Sequence, residues 1–119
     1  MNRQIKFRAW HILFGPKGPM QGMVHGKASS ILALAEMSPD EYIAEQFTGL
    51  KDSNGDDIYE NDLVLLDPDD PPYQVIFDEG KFELSNDYLG LVYDLSEEHM
   101  DCEIIGNIHE NPELVEADK

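Results

Sequence analysis

The residue types best suited to metal chemistry lie in one acidic turn near the middle of the chain. Asp52, Asn54 and Asp56 stand at the first, third and fifth positions of the EF-hand calcium loop, where oxygen ligands are required. The match then stops, because position six is Asp57 where a glycine is needed and position twelve is Leu63 where a glutamate is needed. We therefore interpret the segment as the solvated tip of a hairpin, and weak Ca²⁺ binding by the acidic loops stays open.

The remaining candidates for chemistry are isolated. His99 and Cys102 have the spacing of half a zinc site, but the sequence offers no second pair. Cys102 as a nucleophile would need a lowered pKa, whereas the charges of its neighbours Asp101 and Glu103 act in the opposite direction. No serine elbow or dinucleotide fingerprint is present. We predict no catalytic, metal or cofactor site, and hence a protein that is not an enzyme.

The basic residues are concentrated at the start of the chain. Residues 1–35 carry a formal charge of +5 and residues 36–119 a charge of −22, which gives a net charge of −17. Such a balance repels a phosphate backbone at long range, so nucleic acid is not the expected partner. The alternative hypothesis is nucleic-acid binding by the basic N-terminal strand and loops. Its candidate contact residues are Arg3, Lys6, Arg8, Trp10, Lys17 and Lys27.

Length and composition are those of one globular domain. The 119 residues are 41% hydrophobic, and no apolar run approaches the ~18 residues of a membrane helix. The N-terminal residues lack the apolar core of a signal peptide. A single cysteine excludes an internal disulfide, so we expect a cytoplasmic protein with no membrane partner.

The N-terminal part of the chain is expected to combine strands with one helix. Residues 4–10 alternate in polarity, which predicts a half-buried edge strand. Residues 14–27 are rich in glycine and proline and predict a loop or a loose hairpin. Residues 29–37 are predicted to be helical, with Ser29 or Ser30 as the N-cap. Residues 39–47 fit a helix and a strand equally well.

The rest of the chain has the pattern of strands joined by tight turns. Residues 48–66 predict a hairpin with its tip at 52–55, a left-handed residue at Asn61 and a buried strand at 63–66. Residues 73–77 and 81–84 predict a second hairpin. Residues 88–95 predict a strand interrupted by Gly90, and residues 96–101 a polar or helical turn. Residues 102–108 predict the last strand, with Gly106 at a bulge or a close backbone approach.

Several of these segments together resemble the YopX-like proteins of bacteriophages and prophages. The resemblance is carried, in the right order along nearly the whole chain, by residues 6–10, 48–52, 58–64, 75–77, 80–82, 105–108 and 110–114. Three positions depart from the family pattern: His11 stands where aspartate is common, Asn61 where glycine is usual and His109 where tyrosine is usual. Asparagine is the next best residue after glycine in a left-handed turn, which supports a turn at Asn61.

The resemblance implies a mainly β fold with minor α. It implies an N-terminal arm over residues 1–47, a small SH3-like barrel over residues 48–114 and a tail over residues 115–119. It also favours a strand at residues 42–47. The family has no established biochemical activity, so the resemblance supplies a phage context without a mechanism.

The leading functional hypothesis is therefore a phage or prophage accessory protein that acts as a non-enzymatic protein-interaction module. Its strongly acidic surface is expected to bind a host or phage protein in the bacterial cytoplasm. Self-association through exposed strand edges is a further expectation.

Overall fold

The computed structural model describes residues 6–13 and 20–115. The chain forms two compact units, Met1–Phe47 and Thr48–Lys119. Antiparallel strands dominate both units, and the described residues form two α-helices, so the predicted mainly β class is confirmed. None of the helices in the described part of the chain has the length and apolarity needed to cross a membrane.

The first unit is built on strand β1, Phe7–Leu13. It lies between β2, Met20–Gly26, and β3, Tyr42–Lys51, and pairs antiparallel with both. The prediction of an edge strand was therefore wrong. The predicted alternation also fails, because Arg8, Ala9 and Trp10 are all buried. The backbone of β1 is paired on both sides, and Arg8 is buried because it forms an ion pair with Glu45, which lies opposite it on β3.

Helix α1, Ala28–Met37, follows β2, and Ile31 is its buried residue. The helix was predicted, but its start was not. The N-cap is Lys27, which makes no side-chain capping bond, and the amide of Ile31 donates to the Lys27 carbonyl at 3.0 Å. Residues 39–41 form a turn, and β3 begins at Tyr42. The choice left open for residues 39–47 is thus resolved in favour of a strand from residue 42 onward.

The second unit begins with the end of β3, followed by β4, Asp57–Tyr59, and β5, Asp62–Leu65. The predicted hairpin and its second turn are confirmed. Asn61 has a φ of 71°, the left-handed conformation expected for it. Its amide donates to the Val75 carbonyl, and its carbonyl accepts from the Ile108 amide, so this turn is bonded to the strands on both sides.

A five-stranded antiparallel sheet with the order β8-β7-β6-β5-β9 curls into a half-barrel. The added strands are β6, Tyr73–Asp78, β7, Lys81–Asn86, β8, Leu91–Asp94, and β9, Glu103–Asn107. The second predicted hairpin is confirmed. Glu79 and Gly80 connect β6 to β7, both with positive φ, which is the two-residue turn whose twist matches that of paired strands.

The segment at residues 88–95 was predicted wrongly at both ends. Residues 87–90 form a turn, held by the Asn86 side chain, whose Oδ1 accepts from the Leu89 amide at 2.8 Å. Strand β8 starts only after Gly90, which has a φ of 71°. Leu95 opens the short helix α2, Leu95–Glu98, which a 3₁₀ turn at His99–Asp101 continues. The hydrogen bond from the Leu89 amide to the Asn86 side chain therefore stabilises a turn at residues where the apolar pattern predicted a strand.

Buried side chains from β4, β5, β6, β7 and α2, together with Cys102, meet in one core. This core consists of Ile58, Val64, Tyr73, Val75, Leu84, Leu95 and Cys102. The pairing of β5 with β9 shifts register between Leu63 and Val64, opposite Gly106. A Cβ at Gly106 would overlap the Asn111 side chain, so the predicted bulge and close approach are both present.

Candidate functional site

The acidic hairpin tip is held together by its first carboxylate. Asp52 is buried, and its Oδ1 accepts from the amides of Asn54 and Asp56 at 3.0 and 2.9 Å. Its Oδ2 accepts from the amide of Ile104 on β9 at 2.9 Å. Both oxygens are therefore used to fix the turn and to attach it to the sheet. The residue that would begin a calcium loop acts here as a structural anchor.

The half zinc site at His99 and Cys102 is also engaged in backbone bonds. The ring Nδ1 of His99 donates to the Lys51 carbonyl at 2.7 Å, and the Cys102 thiol donates to the His99 carbonyl at 3.3 Å. In residues 6–13 and 20–115, no three histidine, cysteine or acidic side chains are grouped so that they could hold a metal ion.

Burial raises the pKa of the Cys102 thiol to about 11, and the Asp52 carboxylate adds to the effect. At pH 8 the native thiolate fraction is then about 100-fold below that of an ordinary cysteine. We expect iodoacetamide to label Cys102 at least that much more slowly in the folded protein than in urea, as followed by mass spectrometry. Equal rates would contradict the burial of the thiol.

The same shift has a consequence for stability. The folded pKa lies above the unfolded value, so the protonated thiol favours the folded state below about pH 9. That contribution is lost as the pH rises through the folded pKa of about 11.

The candidate nucleic-acid residues that the structure describes do not form one exposed basic face. Arg8 is buried, and its Nε donates to Glu45 Oε1 at 2.8 Å. Trp10 is buried in the same strand. The ammonium of Lys6 lies 4.5 Å from the ring centroid of Phe47. Lys27 is exposed at the start of α1.

Two further members of that set, Arg3 and Lys17, lie outside the described residues. Among the described members, Lys27 is thus the one exposed cation.

Polar residues in the segments that carry the family resemblance fix turns. Thr48 Oγ1 donates to the Ile58 carbonyl at 2.8 Å, and Asp62 Oδ2 accepts from the Tyr59 amide at 2.8 Å. Asn107 Oδ1 accepts from the amides of residues 109 and 110 after β9. These side chains are engaged in bonds to the backbone that specify the fold. A binding surface must be sought elsewhere.

The outstanding exposed feature is an apolar surface at β8, which consists of Tyr88, Leu89, Leu91, Val92 and Tyr93. We call it the β8 surface. Tyr88 is 69% exposed and Val92 56% exposed. Strand β8 is the last strand of its sheet, so it pairs with β7 on one side and with no strand of the described residues on the other. Apolar side chains on a terminal strand are the usual mark of a pairing site.

Carboxylates adjoin the β8 surface on several sides. The Asn86 side chain joins the turn before β8 to the acidic 67–72 loop, because its Nδ2 donates to the Pro71 carbonyl at 3.1 Å while its Oδ1 holds Leu89. At the other end of the strand, hydrogen bonds from the hydroxyl and amide of Ser96 lower the pKa of Asp94. That carboxylate is therefore ionised at neutral pH.

An aromatic pair connects the β8 surface to the core. The rings of Tyr73 and Tyr93 lie 5.7 Å apart between centroids. Burial raises the pKa of Tyr73, and the neighbouring Tyr93 and the charges of Asp70 and Glu98 contribute to the rise. The site thus combines apolar side chains, accessible aromatic rings and negative charge.

Comparison with known proteins identifies the scaffold. A family model described as YopX protein matches residues 21–116. The chain belongs to the YopX family. The crystal structure of protein EF1440 from Enterococcus faecalis is similar to this YopX chain, with 26% sequence identity and a TM-score of 0.60. The similarity covers 96% of this chain and 99% of EF1440. No curated protein matches this sequence significantly.

The resemblance to YopX-like proteins that was inferred from the sequence is therefore confirmed. Sequence reasoning missed the β8 surface. Its signal was the unbroken apolar run Leu91-Val92-Tyr93, which lacks the alternation of a half-buried strand. We interpreted that run as an ordinary strand, because sequence alone does not show that β8 ends its sheet.

Proposed function

We propose that this YopX protein is a non-enzymatic protein-interaction module of a phage or prophage, and that the β8 surface binds its partner. The observation that carries the proposal is the exposure of three consecutive apolar residues, Leu91, Val92 and Tyr93, on a terminal strand. Folded proteins usually shorten, charge or cover such a strand, because its free backbone groups pair readily with other chains.

Burial of the β8 surface against a partner is expected to be favourable in free energy. Burying apolar surface contributes about 25 cal/mol per Å² to the free energy of binding. Aromatic side chains near the centre of an interface usually make the largest individual contributions. The exposed rings of Tyr88 and Tyr93 supply such anchors. The surrounding carboxylates select against partners that are themselves acidic.

Val92→Lys is expected to abolish partner capture while leaving the fold intact. A lysine on a terminal strand disfavours pairing with another strand, and Val92 is exposed, so stability should change by less than about 0.5 kcal/mol. The measurement is quantitative affinity capture from bacterial lysates with wild-type and variant bait, together with thermal unfolding of both.

Glu103→Gln is the matched control, because it also raises the net charge by one, by removing a carboxylate on β9, the strand at the opposite end of the sheet. Proteins recovered by the wild type and by Glu103→Gln, but lost with Val92→Lys, are the expected result. Identical recoveries with all three baits would refute the proposed role of the β8 surface.

A further inference from the structure

We infer that β8 accepts an extended, cationic peptide segment of another protein as an added sixth strand of the sheet. This inference rests on the proposed function and specifies the chemistry of the partner. It follows from three features of the second unit: the position of β8, the charges around it and its aromatic side chains.

The position of β8 supplies the main-chain half of the interaction. The strand pairs with β7 from Asn86↔Leu91 to Glu83↔Asp94, and no other described strand pairs with its opposite side. In an antiparallel strand, alternate residues direct their N–H and C=O groups away from the paired neighbour. A four-residue strand of this kind offers an incoming peptide backbone donors and acceptors in register.

The charges supply the selectivity. Residues 48–119 hold three basic residues and carry a formal charge of −18. The acidic side chains next to β8 along the chain are Asp87, Asp94, Glu97 and Glu98, and the charges of Asp70 and Glu98 help to raise the pKa of Tyr73, which packs against Tyr93. The Lys81 ammonium lies 3.5 Å from Asp94 Oδ2, and the lysine side chain is largely exposed. This contact offsets the charge of only one of these acidic side chains. A strand that carries lysine or arginine next to apolar residues would complement both properties of the surface.

The same charges disfavour a second copy of this chain as the occupant. Pairing β8 with β8 would bring the two acidic sets together, and like charges across an interface cost several kcal/mol. A cationic segment gains instead, because the exposed rings of Tyr88 and Tyr93 can accept a lysine or arginine over their faces.

The test uses the full chain and four synthetic nine-residue peptides. One alternates lysine with valine, the second replaces every lysine with glutamate, and the third is the lysine peptide with alternate backbone nitrogens methylated on one edge. A fourth peptide, methylated on the other edge, covers both registers. Binding is measured by calorimetry at ~50 and ~500 mM NaCl, and the bound region is located by NMR shifts of residues 88–94.

We expect the lysine peptide to bind at the β8 amides and to weaken at high salt. One of the methylated peptides should bind at least about tenfold more weakly, because two or more interstrand hydrogen bonds are lost. Val92→Lys should weaken the binding of the lysine peptide by a similar factor. Glu103→Gln should change the affinity for that peptide less than about twofold.

Three results would overturn the inference: no binding of the lysine peptide, equal binding of the lysine and glutamate peptides, or dimerisation that Val92→Lys abolishes in light scattering. If the lysine peptide fails while capture from lysates still depends on Val92, the β8 surface binds a partner of other chemistry and the proposed function stands. If neither peptide binding nor capture from lysates is changed by Val92→Lys, both proposals fail.

Discussion

Replacing Glu45 with alanine is expected to destabilise the first unit by about 3–5 kcal/mol, because it leaves the Arg8 guanidinium buried without its carboxylate. Glu45 is fully buried, and the two side chains lie opposite each other in the pairing of β1 with β3. The measurement is urea unfolding followed by the fluorescence of Trp10, the single tryptophan of the chain and a buried residue of the same strand.

The control for this experiment is the double variant Arg8→Met with Glu45→Leu, which replaces the ion pair by apolar side chains. Such replacements are often neutral or stabilising, so most of the lost free energy should return. A loss below about 1 kcal/mol for Glu45→Ala would mean that water reaches Arg8 in the variant, and the pair would then contribute little to the fold.

Replacing Asp52 with alanine is expected to cost about 2–4 kcal/mol in the second unit, because three backbone amides lose a charged acceptor. The change should be seen by urea unfolding with circular dichroism. A local readout is available as well. The amide of Ile104 donates to Asp52, so its hydrogen exchange should accelerate in the variant beyond the exchange of other amides of β9.

Asp56→Ala is the matched control in the same turn. Its side chain is exposed, and its backbone carbonyl, which accepts from the Asp52 amide, is unchanged by the substitution. We expect a change within about 0.5 kcal/mol. Equal losses for the two variants would show that general acidity of the tip, and not the buried carboxylate, determines its stability.

The features that sequence predicted correctly are those set by local chemistry. Asn61 and Gly80 take positive φ, which asparagine and glycine tolerate, and the short connection between β6 and β7 imposes a positive φ on Glu79 as well. The register shift opposite Gly106 also follows from the type of a single residue. The family resemblance then supplied the strand at residues 42–47, which local evidence had left undecided.

The features that sequence did not predict depend on residues far apart in the chain. The central position of β1 depends on β3, and the burial of Arg8 depends on Glu45, 37 residues away. No local pattern contains that information. The β8 surface was missed for the same reason, since a strand is terminal only with respect to the order of the whole sheet.

Foldability and partner choice are encoded by different residues in this chain. The turn anchors Thr48, Asp52, Asp62 and Asn107 lie outside strand β8, and the exposed side chains of that strand contribute little to the core. A few substitutions at residues 91–93 can therefore accumulate without bringing the protein below its stability threshold. Relatives that share the turn anchors but differ at residues 91–93 are expected to retain the half-barrel while evolving new specificities.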